Sequence, residues 1–95
     1  MNLQSVRFHG AARRELRKAV DRYDEQVPGL GDEFAAEIEL IAAHAESGTP
    51  HLAGTRRLQV RRFPYAPIYT ARNEQLVVLA VAHHRRRPEY WLRRP

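Results

Sequence analysis

The run Leu76-Val77-Val78-Leu79-Ala80-Val81-Ala82 contains no polar residue, and no other feature constrains the fold of this chain as much. An unbroken apolar run of this length suits a strand covered on both faces, because a strand with one wet face would alternate. It is far too short to cross a bilayer. The run therefore predicts the central strand of a sheet, and the rest of the chain has to supply cover for both sides. With 95 residues to do so, the chain is expected to form one small domain, 1–95, with a modest core.

The covering elements can be read in order. Val6 and Phe8 alternate with polar neighbours in Leu3 to Phe8, a weak strand signal that stops at Gly10. From Ala11 the period becomes helical, with Ala12, Leu16, Ala19, Val20, Tyr23 and Val27 on one face and Pro28-Gly29 ending it. Pro28-Gly29-Leu30-Gly31 reads as a tight connection, after which Asp32 is placed to cap a second helix with Phe34, Ile38, Ile41, Ala42 and Ala45 on its apolar face. That helix should lie antiparallel to the first and end near Ser47-Gly48-Thr49-Pro50.

Three extended segments follow: Arg57 to Phe63 with Leu58 and Val60 on one face, Tyr65 to Ala71, and the apolar run itself. Pro64 marks a kink, and Arg72-Asn73-Glu74-Gln75 a hairpin turn. Tyr65 and Tyr69 share a parity, with Ala66 and Ile68 on the other face, and Pro67 reads as a bulge or an outward-facing position. Pro88 is suited to the first turn of a short helix, Pro88 to Arg94, carrying Tyr90 and Trp91. The expected fold is α+β.

Charge divides the chain. Met1 to Thr55 holds nine acidic and six basic residues, about −3, whereas Arg56 to Pro95 holds two acidic residues and ten arginines, about +8. Arginine forks grip phosphates and carboxylates in bidentate fashion, so the second half points to an anionic partner. Arg85-Arg86-Arg87 is its strongest feature, with Arg61 and Arg62 placed to extend the same face and Tyr90 and Trp91 adding stackable rings. Trp91 also reads as the packing anchor of the last helix. There is no cysteine, hence no disulfide or thiolate metal site, and MNLQSVRFHG lacks the apolar stretch of a secretory signal, so a soluble cytoplasmic protein is expected. His83 and His84, adjacent in a strand, should point to opposite faces and so not share a metal.

Particular wordings go beyond this outline. Tyr23-Asp24-Glu25-Gln26, Pro28-Gly29-Leu30-Gly31 followed by Phe34, Arg61-Arg62-Phe63-Pro64-Tyr65 leading to Ile68-Tyr69, and Val81-Ala82-His83-His84-Arg85-Arg86-Arg87-Pro88-Glu89-Tyr90-Trp91 fall in order along almost the whole chain. In these pieces the chain resembles the RelE/ParE superfamily, the toxin halves of bacterial type II toxin–antitoxin pairs. The resemblance implies an antiparallel helical hairpin packed on a twisted antiparallel sheet with an N-terminal strand and a short C-terminal helix. It implies no cofactor and no metal. It also implies a hetero-oligomer with a cognate antitoxin whose acidic, partly disordered C-terminal segment covers the hairpin and sheet, with Leu16, Tyr23, Phe34, Ile38, Arg57 and Arg61 as the residues expected to meet it.

The superfamily's two branches differ in mechanism. Its ribosome-dependent ribonucleases need several cationic and titratable groups converging on one pocket to drive attack of a ribose 2′-hydroxyl. On that pattern Arg57 falls where a functional lysine sits, but Gln59 replaces a second lysine and Ala66 a transition-state arginine. His83, His84 or Arg85, with Tyr90, would complete a nuclease set of Arg57, Arg62, His83, His84 and Tyr90. A methyl group at Ala66 has nothing to offer a developing anion, which favours the ParE branch, a non-enzymatic poison of DNA gyrase. Its working surface would be Arg61, Arg62, Arg85, Arg86, Arg87, Tyr90 and Trp91. An mRNA endoribonuclease acting on the ribosome is the alternative, and a degenerate, non-toxic repressor subunit the second.

Overall fold

The helical spacing after Gly10 does form a helix, α1 (Gly10–Gln26), in a computed structural model that describes residues 6–94. Leu3 to Ser5 of the expected first strand, and the side chain of Ala42, lie outside the described residues. His9 caps α1: its Nδ1 accepts a hydrogen bond from the Ala11 amide at 3.0 Å, satisfying a donor that serine or aspartate more often serves. Ala12 and Ala19 are buried on the inner stripe beside Leu16, Val20 and Tyr23. Val27, expected on that stripe, is 54% exposed. It precedes Pro28, which pushes the residue before it out of the helical region, and its φ of −145° and ψ of 118° are those of extended chain.

The connection is tighter than a loop. Gly29 turns the chain with φ +90°, open to glycine and strained for other residues. Gly31 sits where a Cβ would run into the Val20 carbonyl and the Asp24 carboxylate of α1. Its absent side chain lets the helices approach. The second helix, α2 (Leu30–Glu39), starts two residues before Asp32, and Asp24 supplies the cap instead, accepting from the Gly31 amide at 2.7 Å. Asp32 and Glu33 occupy the first turn, where the helix dipole favours acids. Phe34 and Ile38 are fully buried, and Ile41 continues their stripe in a 3-10 turn, Leu40–Ala42.

Further 3-10 turns at Ala45–Ser47 and Leu52–Gly54 flank β2 (Thr49–Pro50), and the sheet is built from β1 (Val6–Phe8), β2, β3 (Arg56–Arg57), β4 (Tyr65–Arg72) and β5 (Gln75–His83). The strand order is β1-β5-β4-β3-β2. β5, which contains the apolar run, is interior as its composition demands, although β4 holds the middle position. The sheet is mixed rather than wholly antiparallel: β1 runs parallel to β5, Val6 opposite Leu76, because α1 and α2 carry the chain across before it returns. Asn73 and Glu74 both have positive φ, 49° and 64°, so the β4–β5 turn is the two-residue kind that matches strand twist.

Of the extended segment expected from Arg57 to Phe63, only Arg56–Arg57 is strand. Beyond it the Leu58 amide still reaches the Pro67 carbonyl and the Val60 amide the Tyr65 carbonyl. Gln59 holds the irregular part, its Nε2 donating to the carbonyls of Phe63 and Tyr65 at 3.0 and 2.9 Å. Pro67 is fully buried, not outward-facing. Its carbonyl accepts from Leu58, so its missing N–H lies on the same side of β4, where β3 has already ended and no ladder donor is required.

The sheet has a front, covered by the helices, and a back. Tyr65 and Tyr69 on β4 and Leu76 and Val78 on β5 join Phe34, Ile38 and Phe63 in the front core, while Ile68, Leu79, Ala80 and Trp91 form a smaller cluster behind. A bulge makes this possible: Ile68 pairs with Ala80 but Tyr69 with Val78, leaving Leu79 as the extra residue. Leu79 and Ala80 both face the back, so Val81 and His83 emerge on the front. The segment from Pro88 to Arg93 is a succession of turns rather than the expected short helix. Trp91 anchors it, 2% exposed, on the back cluster.

Candidate functional site

β1 covers β5 only as far as Val78, where the His9 amide takes the Val78 carbonyl. From Leu79 onward the strand would present bare backbone at its edge. Two side chains from distant parts of the chain close it. Glu15 of α1 accepts a hydrogen bond from the Val81 amide at 2.9 Å, and Arg94 donates to the Leu79 carbonyl at 2.9 Å. Glu15 and Arg94 are themselves paired through both guanidinium nitrogens, at 3.1 and 2.8 Å. Each is only 17% exposed, which limits screening by solvent and makes the two-point geometry matter. The pair stands in for a missing strand.

Around it the C-terminal turns are organised by arginine on an aromatic ring. The Arg86 guanidinium lies 3.9 Å from the Tyr90 ring centre and that of Arg94 lies 5.0 Å away. Burial, then the Glu15 carboxylate, pushes the Tyr90 phenol well above its ordinary range, so it stays protonated at any physiological pH.

Beside the closed edge, α1 and the end of β5 enclose a cleft of about 320 Å3. Tyr65, Val81 and Ala19 form its apolar part, and Lys18, Arg22, His83, Arg85 and Arg86 line it. His83 packs edge-on against Tyr65 at 5.0 Å, and its Nδ1 accepts from the Arg85 amide. Its pKa is lowered by burial first and then by its neighbours His84, Arg85 and Arg22. The two imidazoles do not point to opposite faces as the strand pattern implied: His84 lies past the end of β5 and its ring stacks on His83 at 4.5 Å.

The residues expected to form a nuclease set are not brought together. Arg57 pairs with Ile68, whose side chain is on the back, and reaches Gln59 at 3.3 Å. Tyr90 also packs on the back cluster. His83 faces the front cleft, and Arg62, at φ +71°, bonds Glu33 of α2 at 2.7 Å on the front. Ala66 is fully buried, so an arginine there would have no open site to enter. Gln59, in the place of a lysine, is committed to holding the loop.

For a binding surface the expected residues divide differently. Arg61, Arg62, Arg85, Arg86 and Arg87 are exposed, while Trp91 is sealed beneath the turns. Among those expected to meet an antitoxin, Phe34 and Ile38 have no accessible surface, whereas Leu16, Tyr23 and Arg57 are half-exposed and Arg61 is exposed. Sequence reasoning missed Glu15, Lys18, Arg22 and Arg94. Lys18 and Arg22 are one helical turn apart, a like-charged spacing that does carry a signal. Glu15 and Arg94 are separated by 79 positions and carry none.

Residues 6–88 match the family model described as ParE toxin of type II toxin-antitoxin system, parDE. Among solved structures, the "Chromosomal ParDE TA system from P. aeruginosa" contains a chain with the same fold, at a TM-score of 0.66 and 16% identity over 85% of this chain and 96% of that one. No curated protein matches the chain in sequence.

Proposed function

The chain belongs to the ParE toxin family of type II toxin–antitoxin systems, and on that basis we propose that it arrests growth by binding DNA gyrase in the cytoplasm and stalling it on cleaved DNA. It does so without cutting RNA itself. One observation carries this choice between the two branches: the residues that a nuclease would need are divided between the faces of the sheet, Arg57 and Tyr90 behind, His83 and Arg62 in front. Proton transfer and charge stabilisation at one ribose require groups within hydrogen-bond reach of a common point. Tyr90 is also unsuited to act as a base, because burial and the Glu15 carboxylate raise its phenol's pKa well above the ordinary range.

The target surface is the exposed arginine group Arg85, Arg86 and Arg87, with Arg61 and Arg62 also exposed, carried on the positive half of the chain. A cognate antitoxin with an acidic, partly disordered C-terminal segment neutralises the toxin by covering this surface and part of the hairpin and sheet, through the half-exposed Leu16, Tyr23 and Arg57 and the exposed Arg61. A paired assay tests the proposal. Purified protein is expected to trap gyrase–DNA cleavage complexes and leave mRNA intact on translating ribosomes. Cut mRNA with unaffected gyrase overturns it, and harmless expression in bacteria without an antitoxin assigns the chain to a non-toxic interaction role.

A further inference from the structure

We propose that the front cleft between α1 and the end of β5 is a phosphate-binding site for a nucleic-acid backbone, with Lys18, Arg22, His83, Arg85 and Arg86 as its donors. The proposal does not depend on gyrase being the target, and its test contains no gyrase.

Four full cations and a titratable imidazole surround this cleft, and the single acid on its wall, Glu15, is already held by both nitrogens of Arg94. Among the described residues the ion pairs are Arg94 with Glu15 and Arg62 with Glu33, so none of the cleft's cations has an acidic partner. Lys18 and Arg22, one helical turn apart, repel one another. The His83 pKa is lowered mainly by burial and then by His84, Arg85 and Arg22, the last two acting by this same repulsion. An anion bound here relieves the repulsion among these cations.

The shape of the site distinguishes phosphate from an acidic peptide. An extended peptide binds a strand edge through main-chain hydrogen bonds, but the edge of β5 beside the cleft is closed: Glu15 takes the Val81 amide and Arg94 the Leu79 carbonyl. What remains is a ring of side-chain donors coming from a helix on one side and a strand end on the other. Such a ring suits a tetrahedral anion with several acceptor oxygens better than a carboxylate with two. A volume of about 320 Å3 is enough for a nucleotide-sized group.

The test titrates a labelled single-stranded oligodeoxynucleotide into the full chain and reads anisotropy at several salt concentrations. Lys18→Gln with Arg22→Gln is expected to weaken binding about tenfold and to reduce the slope of log affinity against log salt by about 1.4, the value for two lost contacts to a single strand. Arg13→Gln with Arg17→Gln removes the same charge from another flank of α1 and is expected to change affinity less than about threefold, since only diffuse attraction is lost. Equal losses in the two double variants overturn the proposal. In parallel, inorganic phosphate at constant ionic strength is expected to shift the NMR signals of the His83 ring and the Arg22 and Arg85 side chains. No shift overturns it as well.

Discussion

On the front of the sheet, two helices bring Phe34, Ile38 and Ile41 down onto Tyr65, Tyr69, Leu76 and Val78, and Tyr23, Phe34, Phe63 and Tyr65 meet ring to ring at 4.9 to 6.3 Å. On the back, one run of turns lays Trp91 over Ile68, Leu79 and Ala80, and what holds the run in place is Glu15 with Arg94 and Arg86 over Tyr90. The front is held by area removed from water. The back is held by a few directional, charged contacts whose strength depends on geometry and on salt. A fold of this size therefore has one face that resists change and one that responds to solution conditions, and the basic cleft lies where the two meet.

The comparison can be broken from the front first. Phe34→Ala empties a fully buried site, and urea denaturation is expected to show a loss of about 4 kcal/mol, the range for a large aromatic removed from a core. Glu15→Gln attacks the back: it keeps size but removes the charge facing Arg94. A loss of about 2 kcal/mol is expected, below the full value for breaking a buried pair because each side chain keeps some solvent. The sharper result is in salt, since raising ionic strength should narrow the gap between wild type and Glu15→Gln while leaving that of Phe34→Ala unchanged.

Smaller effects refine the picture. Glu74 holds φ +64° in the hairpin turn, and Glu74→Gly is expected to raise stability by about 1 kcal/mol, readable as a higher melting temperature, because glycine adopts that conformation without a Cβ clash. Arg62→Ala removes an ion pair whose members are 59% and 56% exposed, and a change below about 1 kcal/mol is expected. The smallest is a pH effect at His83. Its folded pKa lies below the unfolded value, so the unfolded chain binds the proton more readily. Stability should be full above about pH 6.5 and decline as pH falls from there toward the lowered folded pKa. His83→Gln should flatten that part of the profile, and bound phosphate, which favours the charged imidazole and so raises the folded pKa toward the unfolded one, should flatten it too.

Much of the front was legible because it is local. The stripe from Ala12 to Tyr23, the break at Pro28-Gly29, the stripe of Phe34, Ile38 and Ile41, and the Asn73-Glu74 turn are each encoded within a few residues of one another. Errors there were of one or two positions, as at Val27 and Asp32, where a proline and a neighbouring helix overrode the local pattern. The back and the cleft were less legible. Strict alternation along β5 places Val81 opposite in phase to Val78, and only the bulge at Leu79, an effect of pairing with β4, returns it to the front. The parallel placement of β1 and the Glu15–Arg94 pair depend on topology, and no spacing in the sequence announces them. The arginine cluster was visible as charge, but its concavity depends on α1 lying beside it.

The pairing of Glu15 with Arg94 also sets an order of events during synthesis. Synthesis runs from the N-terminus, so α1 and α2 are made long before Arg94 exists. Until then β5 keeps an open edge at Leu79, the kind of edge on which another strand can add. A nascent chain halted before Arg94 thus has β5 in place and is still adhesive along one strand.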